Sequence, residues 1–277
     1  AMKVDLHCHS TISDGLLPPA ELVRRAAANG VELLCLTDHD ELSGLADAAR
    51  AAQQTGVRLL SGVEISVTWR DTTIHIVGVG IDPGDAQLAA GLAHVRSGRQ
   101  ARAVRMAQAL DAIGIHGAFG GAARYARNPA LIGCIHFARF LVERGVSADV
   151  RSVFERYLAY GKPGYVPHQW ASLEQAVQWI VAAGGVAVIA HPGRYRLSTR
   201  ERRRFFEDFQ DLGGRGIEVM SGAHNANQCR EYARVARHYG FAASCASDFH
   251  GPGESETDLG GIQPLPEDLR PVWKDLV

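Results

Sequence analysis

The sequence predicts an α/β protein, a barrel of strands covered by helices, with a helical subdomain inserted into it. Apolar strand-like segments alternate with amphipathic helical segments over most of the chain, which is typical of a parallel sheet with helices packed on it. One central stretch keeps the helical spacing but has no buried strand. The length of 277 residues fits one barrel-type domain with such an insert.

Composition excludes several classes of protein. A formal net charge of −1 argues against a protein that coats nucleic acid or a membrane surface. No apolar run is long enough to span a bilayer and no signal-peptide pattern is present, so we expect a cytoplasmic protein without a membrane partner. The five cysteines show no Cys-x-x-Cys pairing, which argues against a disulfide framework. The oligomeric state stays open, with a monomer favoured.

The first half of the barrel follows from alternating segments. In a strand at residues 4–10, apolar residues alternate with His7 and His9, so both imidazoles share one face. A helix begins at Pro18-Pro19, where the first turn tolerates proline, and ends at Asn29-Gly30. The next predicted elements are a strand at 31–36, a helix at 41–55, a strand at 57–65 and a strand at 74–80.

The pattern changes at about residue 94. Arginines then recur at helical spacing, and the chain up to about residue 167 contains helices with Gly- and Pro-rich turns. We therefore predict an inserted helical lid at residues 94–167, with the barrel formed by residues 2–93 and 168–277. The second half of the barrel then contains a helix at 173–183, a strand at 185–190, a helix at 199–211, a strand at 216–220, a helix at 225–239 and a strand at 241–246.

Metal-ligand residues recur where the predicted strands end. In α/β barrels functional groups gather at the carboxyl ends of the strands. One histidine taken alone is more often a surface or core residue, but nine ligand-type residues at strand ends are hard to obtain from packing. Their number exceeds what one four-coordinate ion needs, which indicates two or three divalent ions, Mn, Fe or Zn, bridged by Glu64. The nine are His7, His9, Asp14, His39, Glu64, His75, His191, Asp248 and His250.

Such sites act on phosphate esters. One ion lowers the pKa of a bound water so that hydroxide forms near neutral pH, and the others neutralise the phosphoryl and leaving oxygens. A substrate with a second phosphate needs a further clamp, for which the planar arginine side chain is well suited. Arg194 follows His191 by three residues and is the best candidate for that role.

Six motifs resemble those of the polymerase-and-histidinol-phosphatase (PHP) superfamily. The similarity covers essentially the whole chain and is greatest to the TrpH-like branch of stand-alone phosphoesterases, which includes 3′,5′-nucleoside bisphosphate phosphatases. The motifs are Asp5-Leu6-His7-Cys8-His9-Ser10, Thr37-Asp38-His39-Asp40, Gly62-Val63-Glu64-Ile65, Ile74-His75-Ile76, Ala190-His191-Pro192 and Ser247-Asp248-Phe249-His250.

The resemblance implies a distorted (β/α)7 barrel of the PHP type with a trinuclear metal site. One ion would bind His7, His9, Glu64 and Asp248, a second Glu64, His75 and His191, and a third Asp14, His39 and His250. The implied activity is removal of the 3′-phosphate from nucleoside 3′,5′-bisphosphates such as pAp, and 5′-to-3′ trimming of short oligonucleotides, by a metal-activated hydroxide.

Residues outside the nine could bind such a substrate. Asp40 is a candidate acid for the leaving group, or alternatively the N-cap of the next helix. Three aromatic residues, Phe137, Tyr165 and Trp170, could stack a base or form the insert's own core. Further candidates for phosphate contacts are His136, Arg139, Arg99, Arg102, Lys162 and His168.

Some positions depart from the family pattern, and other functions stay open. Cys134 and Ile135 stand where relatives carry arginine, and Tyr160 where a basic residue is expected, which would weaken or move the phosphate clamp. Alternatives are a phosphatase of another small phosphomonoester, such as histidinol phosphate or AMP, or a non-catalytic PHP domain. A carbon–nitrogen hydrolase is disfavoured because no lysine lies at a strand end.

Overall fold

The computed structural model describes residues 1–277 and contains one seven-stranded sheet, with the strands side by side in chain order. The sheet curls into a nearly closed barrel, because the Leu6 N–H donates to the Cys245 carbonyl at 2.9 Å and joins the first strand to the last. This confirms the predicted α/β barrel. The strands are β1 (Val4–Asp5), β2 (Leu33–Leu36), β3 (Arg58–Trp69), β4 (Thr72–Val79), β5 (Val186–Ile189), β6 (Gly216–Ser221) and β7 (Ala242–Ala246).

Strand β4 corrects the prediction of a wholly parallel sheet. It is antiparallel to both β3 and β5, whereas the other neighbouring pairs are parallel. A two-residue turn, Arg70-Asp71, joins β3 to β4 with φ values of 44° and 65°, as in the tight hairpin turns that match strand twist. The reversal brings the beginning of β4, and with it His75, to the end of the barrel where the parallel strands finish.

Nine α-helices surround the barrel and form the insert. The helix predicted from residue 41 begins only at Leu45, after a turn. No helix is long and apolar enough to cross a membrane. The helices are α1 (Pro19–Ala28), α2 (Leu45–Thr55), α3 (Ala86–Asp111), α4 (Ala118–Ala123), α5 (Cys134–Glu143), α6 (Val150–Val153), α7 (Leu173–Ala182), α8 (Thr199–Asp211) and α9 (Ala226–Tyr239).

Helix α3 links two apolar cores. Leu88, Leu92 and Val95 on its first half pack in the core between barrel and outer helices. Its second half contributes Met106 and Leu110 to a separate core that it shares with α4, α5 and α6. A separate helical core thus exists, but the predicted boundary at residue 94 lies inside a continuous helix, and the division of the chain there stays a prediction. A third apolar cluster, with residues from β1, β2, β4 and β5, is separate from both.

Candidate metal centre

All nine residues singled out from the sequence lie together at one end of the barrel. His7 and His9 follow β1, and His39 follows β2. Glu64 lies in the middle of β3, which continues to Trp69, and His75 lies near the start of β4, so neither occupies the strand end from which it was predicted. His191 and Asp248 follow β5 and β7 with positive φ values of 28° and 57°. Such backbone conformations are strained in residues other than glycine and tend to occur at functional sites.

Glu64 is the centre of the cluster. Its Oε2 atom lies 3.1 Å from His7 Nε2, 3.0 Å from His9 Nε2 and 3.3 Å from His39 Nδ1. Its Oε1 atom lies 2.9 Å from His75 Nδ1 and 3.1 Å from His191 Nε2. Five imidazoles therefore surround one buried carboxylate, the arrangement expected of a ligand that bridges ions.

The ligand atoms fall into overlapping groups. His7, His9, Glu64 and Asp248 place one ligand atom each within 4.8 Å of one another, the set that the resemblance implied for the first ion. A second group is formed by His9, Asp14, His39 and His250, and a third by His39, Glu64 and His75. His191 adjoins the last group, because its Nε2 atom lies 3.2 Å from His75 Nδ1. The geometry thus adds His9 to the set predicted around Asp14, and adds His39 to the set predicted around His75, of which His191 is already a member.

Unsatisfied polar atoms show that the residues fit cations. Glu64 Oε2 and His39 Nδ1 are buried without a hydrogen-bond partner, although an unpaired buried polar atom costs free energy. Carboxylate oxygens and imidazole nitrogens that converge without hydrogen bonds suit a divalent cation between them. Burial opposes ionisation of Glu64, but the surrounding imidazoles, His7 first, outweigh it and hold its pKa well below its ordinary value. The carboxylate is thus in the form that binds metal.

Two acidic residues that the sequence analysis did not select hold the cluster in place. Glu218 on β6 is fully buried, and its carboxylate accepts hydrogen bonds from His7 Nδ1 and from the His191 backbone N–H, both at 2.7 Å. Asp38 accepts from the Ser10 N–H at 2.8 Å and the Ser13 hydroxyl at 2.6 Å, which fixes the loop between His9 and Asp14. An acidic residue within the apolar strand β6 was a signal that could have identified Glu218.

The structure corrects the N-cap interpretation of Asp40. The next helix starts at Leu45, and Gly44 precedes it without a side-chain cap. The buried Asp40 carboxylate instead accepts hydrogen bonds from the Ser66 N–H at 2.8 Å and from Arg99 Nη2 at 2.7 Å. An ion-paired carboxylate has no proton to donate, so this geometry does not favour the acid role, which stays untested.

The predicted substrate-binding residues differ in exposure and in whether their polar atoms already have partners within the protein. Arg194 is half-exposed at the edge of the cluster, with Nη1 at 3.0 Å from Asp248 Oδ2. Arg139 is buried and forms a bidentate pair with Glu254 at 2.7 and 2.9 Å. The buried His136 accepts a hydrogen bond from the Gly133 N–H at 3.0 Å. Lys162 is exposed, and its amine forms no ion pair within 4.0 Å. The Nδ1 atom of His168 lies 3.1 Å from Arg105 Nη2.

The three aromatic candidates have separate surroundings. Phe137 is completely buried in the core of the insert, so its predicted base stacking is wrong and the alternative, a core role, is confirmed. Trp170 is half-buried beneath the guanidinium groups of Arg99 and Arg102, with ring-centre distances of 5.1 and 5.5 Å. Tyr165 forms an edge-to-face pair with the exposed Tyr160.

Comparisons with known proteins agree on one family. The model of the PHP domain matches residues 5–223. A 3′,5′-nucleoside bisphosphate phosphatase from Chromobacterium violaceum is 53% identical over 274 residues, which are 99% of this chain and 96% of the relative. The 5′-3′ exoribonuclease Rnm of Escherichia coli is 41% identical over 276 residues, which are 99% of this chain and 94% of the relative.

Two solved structures share the fold. An amidohydrolase from Chromobacterium violaceum, with bound sulfate and no metal, superposes with a TM-score of 0.96 at 53% identity, covering 99% of this chain and 95% of its own. A protein from Bifidobacterium adolescentis described as a metal-dependent phosphoesterase superposes with a TM-score of 0.82 at 26% identity, covering 98% and 93%. The similarity thus extends over the barrel and the insert.

Proposed function

This chain belongs to the PHP domain family, and on that premise we propose that it is a metal-dependent phosphoesterase acting on nucleotides. Its substrates are nucleoside 3′,5′-bisphosphates such as pAp, from which it removes the 3′-phosphate, and short oligonucleotides, which it trims from the 5′ end. The observation that carries the proposal is the buried Glu64 carboxylate, which faces five imidazoles with one oxygen unsatisfied. The names of the most similar relatives support the choice of nucleotides.

The metal sites are part of the proposal. Three divalent ions, Mn, Fe or Zn, would be held by the three overlapping groups around Glu64, Asp14 and His75, with His191 joining the last. Such ions would supply Lewis-acid activation of water and neutralise charge on the phosphoryl group. The five cysteines are free thiols, which fits the reducing cytoplasm in which we place the enzyme.

The chain's own residues position the reacting groups. Glu218 accepts a hydrogen bond from His7 Nδ1, so the Nε2 atom of His7 faces the cluster, where it could bind an ion. Arg194 extends from the Pro192–Arg194 turn with its guanidinium beside Asp248 and half in solvent, where it can bind a phosphoryl oxygen. Asp40 lies next to His39 and ties the cluster to α3 through Arg99, which makes it a positioning residue in this proposal.

A comparison of substrates with one ligand variant tests the proposed function. The metal-loaded enzyme should release phosphate from pAp faster than from AMP or histidinol phosphate. The His9→Ala variant should lose turnover by at least 100-fold while its circular dichroism stays native, because two of the three ligand groups lose a member. His116→Ala, at an exposed histidine of the insert, is the matched control and should keep its activity.

Two results would count against this function. Near-normal turnover by His9→Ala with metal present would remove the assignment of His9 as a ligand. A wild-type enzyme that is inert toward bisphosphonucleotides, mononucleotides and oligonucleotides alike would remove the nucleotide substrate class.

A further inference from the structure

A ridge of arginines leads along α3 away from the metal centre. Arg96, Arg99, Arg102 and Arg105 recur every three residues, and such residues form one ridge on a helix surface. The ridge starts at the cluster, because Arg96 Nη1 donates to the carbonyl of Asp40, the residue after His39, at 2.8 Å. At a rise of about 1.5 Å per residue, Arg105 lies roughly 9 Å further along the helix than Arg99.

Aromatic side chains lie between these arginines. The Trp170 ring lies against both Arg99 and Arg102. The His168 ring lies 4.3 Å from the Trp170 ring, edge to face, and its Nδ1 atom lies 3.1 Å from Arg105 Nη2. A cationic and aromatic strip therefore continues from Arg99 to Arg105. Alternation of positive charge with stacking surfaces is typical of sites for single-stranded nucleic acid.

The far end of the strip carries uncompensated positive charge. Arg99 is ion-paired with Asp40, and Arg96 lies near Glu41, whereas Arg102 and Arg105 have no carboxylate within 4.0 Å. Arg102 instead contacts the Val166 carbonyl and Cys134 Sγ, both at 3.3 Å. The pKa of His168 is lowered by its partial burial first and then by these arginines. An anion is the missing partner of such a surface.

At its far end, around Arg105 and His168, the strip borders a shallow, open groove. The groove has a volume of about 390 Å³ and is lined by Arg105, Pro167, His168 and Gln169. Tyr160 is 67% exposed and lies edge to face with Tyr165, which precedes the groove-lining Pro167 by two residues. An exposed tyrosine ring offers a stacking surface to a base of any type.

We propose that the far end of this strip, Arg102, Arg105 and His168, together with the exposed Tyr160, is a binding site for the nucleotides of an oligonucleotide beyond the one at the metal centre. The proposal rests on the proposed function, because it takes the scissile phosphate to lie among the nine ligand residues. The phosphates of the chain bind Arg102 and Arg105, and a base stacks on Tyr160. A nucleoside bisphosphate, which has only one nucleotide, makes fewer of these contacts.

The Arg105→Ala variant tests the site by comparing substrates of two lengths. We expect kcat/KM on a 5′-phosphorylated tetranucleotide to fall at least tenfold more than kcat/KM on pAp. The slope of log(kcat/KM) against log salt should become shallower by about 0.7 for the tetranucleotide, because one phosphate contact is lost. Arg203→Ala removes an exposed, unpaired arginine of α8 and is the matched control, for which the ratio between the two substrates should not change.

Binding provides a readout that is independent of turnover. Fluorescence anisotropy of a labelled tetranucleotide on metal-free enzyme should give a Kd at least fivefold weaker for Arg105→Ala than for the wild type. An equal fall in kcat/KM on both substrates, or an unchanged Kd, would overturn the site. A nucleoside 3′-phosphate 5′-diphosphate is assayed as a third substrate. If Arg105→Ala lowers kcat/KM on this compound alone, the strip binds a pyrophosphate group and the oligonucleotide site is overturned. Absence of any turnover by the wild type would count against the proposed function. The comparison of Kd between the wild type and Arg105→Ala would still show whether the strip binds an oligonucleotide.

Discussion

Glu218 determines which nitrogen His7 presents to the cluster. Its carboxylate accepts hydrogen bonds from His7 Nδ1 and from the His191 backbone N–H, so one buried side chain orients two predicted ligands that follow different strands. Partners of this kind fix the tautomer of a metal-binding histidine and raise its basicity. The cluster therefore depends on residues that do not themselves face the cations.

The Glu218→Gln substitution tests this dependence. Glutamine has one oxygen where two are needed, so its amide nitrogen would face either the His7 or the His191 donor. We expect metal affinity to fall about 10- to 100-fold, with activity partly restored at high metal concentration. Competition with a chelator measures the affinity, and Glu207→Gln on the exposed face of α8 is the control. Unchanged affinity would show that Glu218 has no part in the site.

Sequence patterns revealed the ligand residues better than the residues that support them. The nine ligand candidates carry their chemistry in their identity and recur beside predicted strands. The roles of Glu218 and Asp40 depend on partners distant in sequence, such as His7 at 211 positions and Arg99 at 59 positions. An acidic residue in an apolar strand marks Glu218 as unusual, but a single sequence does not show which distant residue such a side chain pairs with. The N-cap interpretation of Asp40 was wrong for that reason.

Among the elements, the β3–β4 hairpin does most to shape the site. It places His75 beside Glu64 although the two lie on antiparallel strands. No residue type marks this hairpin in advance, since Arg70-Asp71 lacks the glycine or asparagine that is usual in such a turn. The apolar runs predict the strands themselves, but the direction of β4 depends on the turn before it. The pattern therefore predicts β4 as a parallel strand, whereas it is antiparallel to both of its neighbours.

Close packing of β2, β3 and β4 makes Gly62 a sensitive position. A Cβ atom there would lie 2.3 Å from Cys35 Sγ and 3.0 Å from the Gly78 carbonyl oxygen. We expect Gly62→Ala to lower the free energy of unfolding by about 1–3 kcal/mol, as overpacking of a core does. Gly120→Ala, where a Cβ meets nothing within 4 Å, should be neutral or stabilising by up to about 1 kcal/mol. Urea denaturation compares the two, and equal stability would contradict this account of the packing.

At the scale of the whole molecule, charge is balanced overall but separated locally. The net charge of −1 argues against a protein that coats nucleic acid with its whole surface. The structure nevertheless gathers acidic and imidazole ligands at the barrel end and unpaired arginines along α3. Such a separation suits a small anionic substrate that is held at several points rather than a long duplex.

The two apolar cores give this arrangement its rigidity. Helix α3 packs in both, so the arginines of the insert are held at a set distance from the barrel end. Helical spacing indicated that the residues after β4 form helices, because amphipathic periodicity is a local property. The boundary between the two cores could not be predicted from the sequence, since α3 runs uninterrupted through both. Nothing in the sequence of α3 marks where its packing partners change.

The content of bound metal tests the central claim most directly, namely that the barrel end is a multinuclear centre built around Glu64. Elemental analysis of reconstituted, desalted protein should give two to three divalent ions per wild-type chain. The Glu64→Gln variant should retain at most one, because the bridging carboxylate belongs to two of the three ligand groups. A wild-type chain without bound ions, or a Glu64→Gln chain with the full complement, would contradict the account.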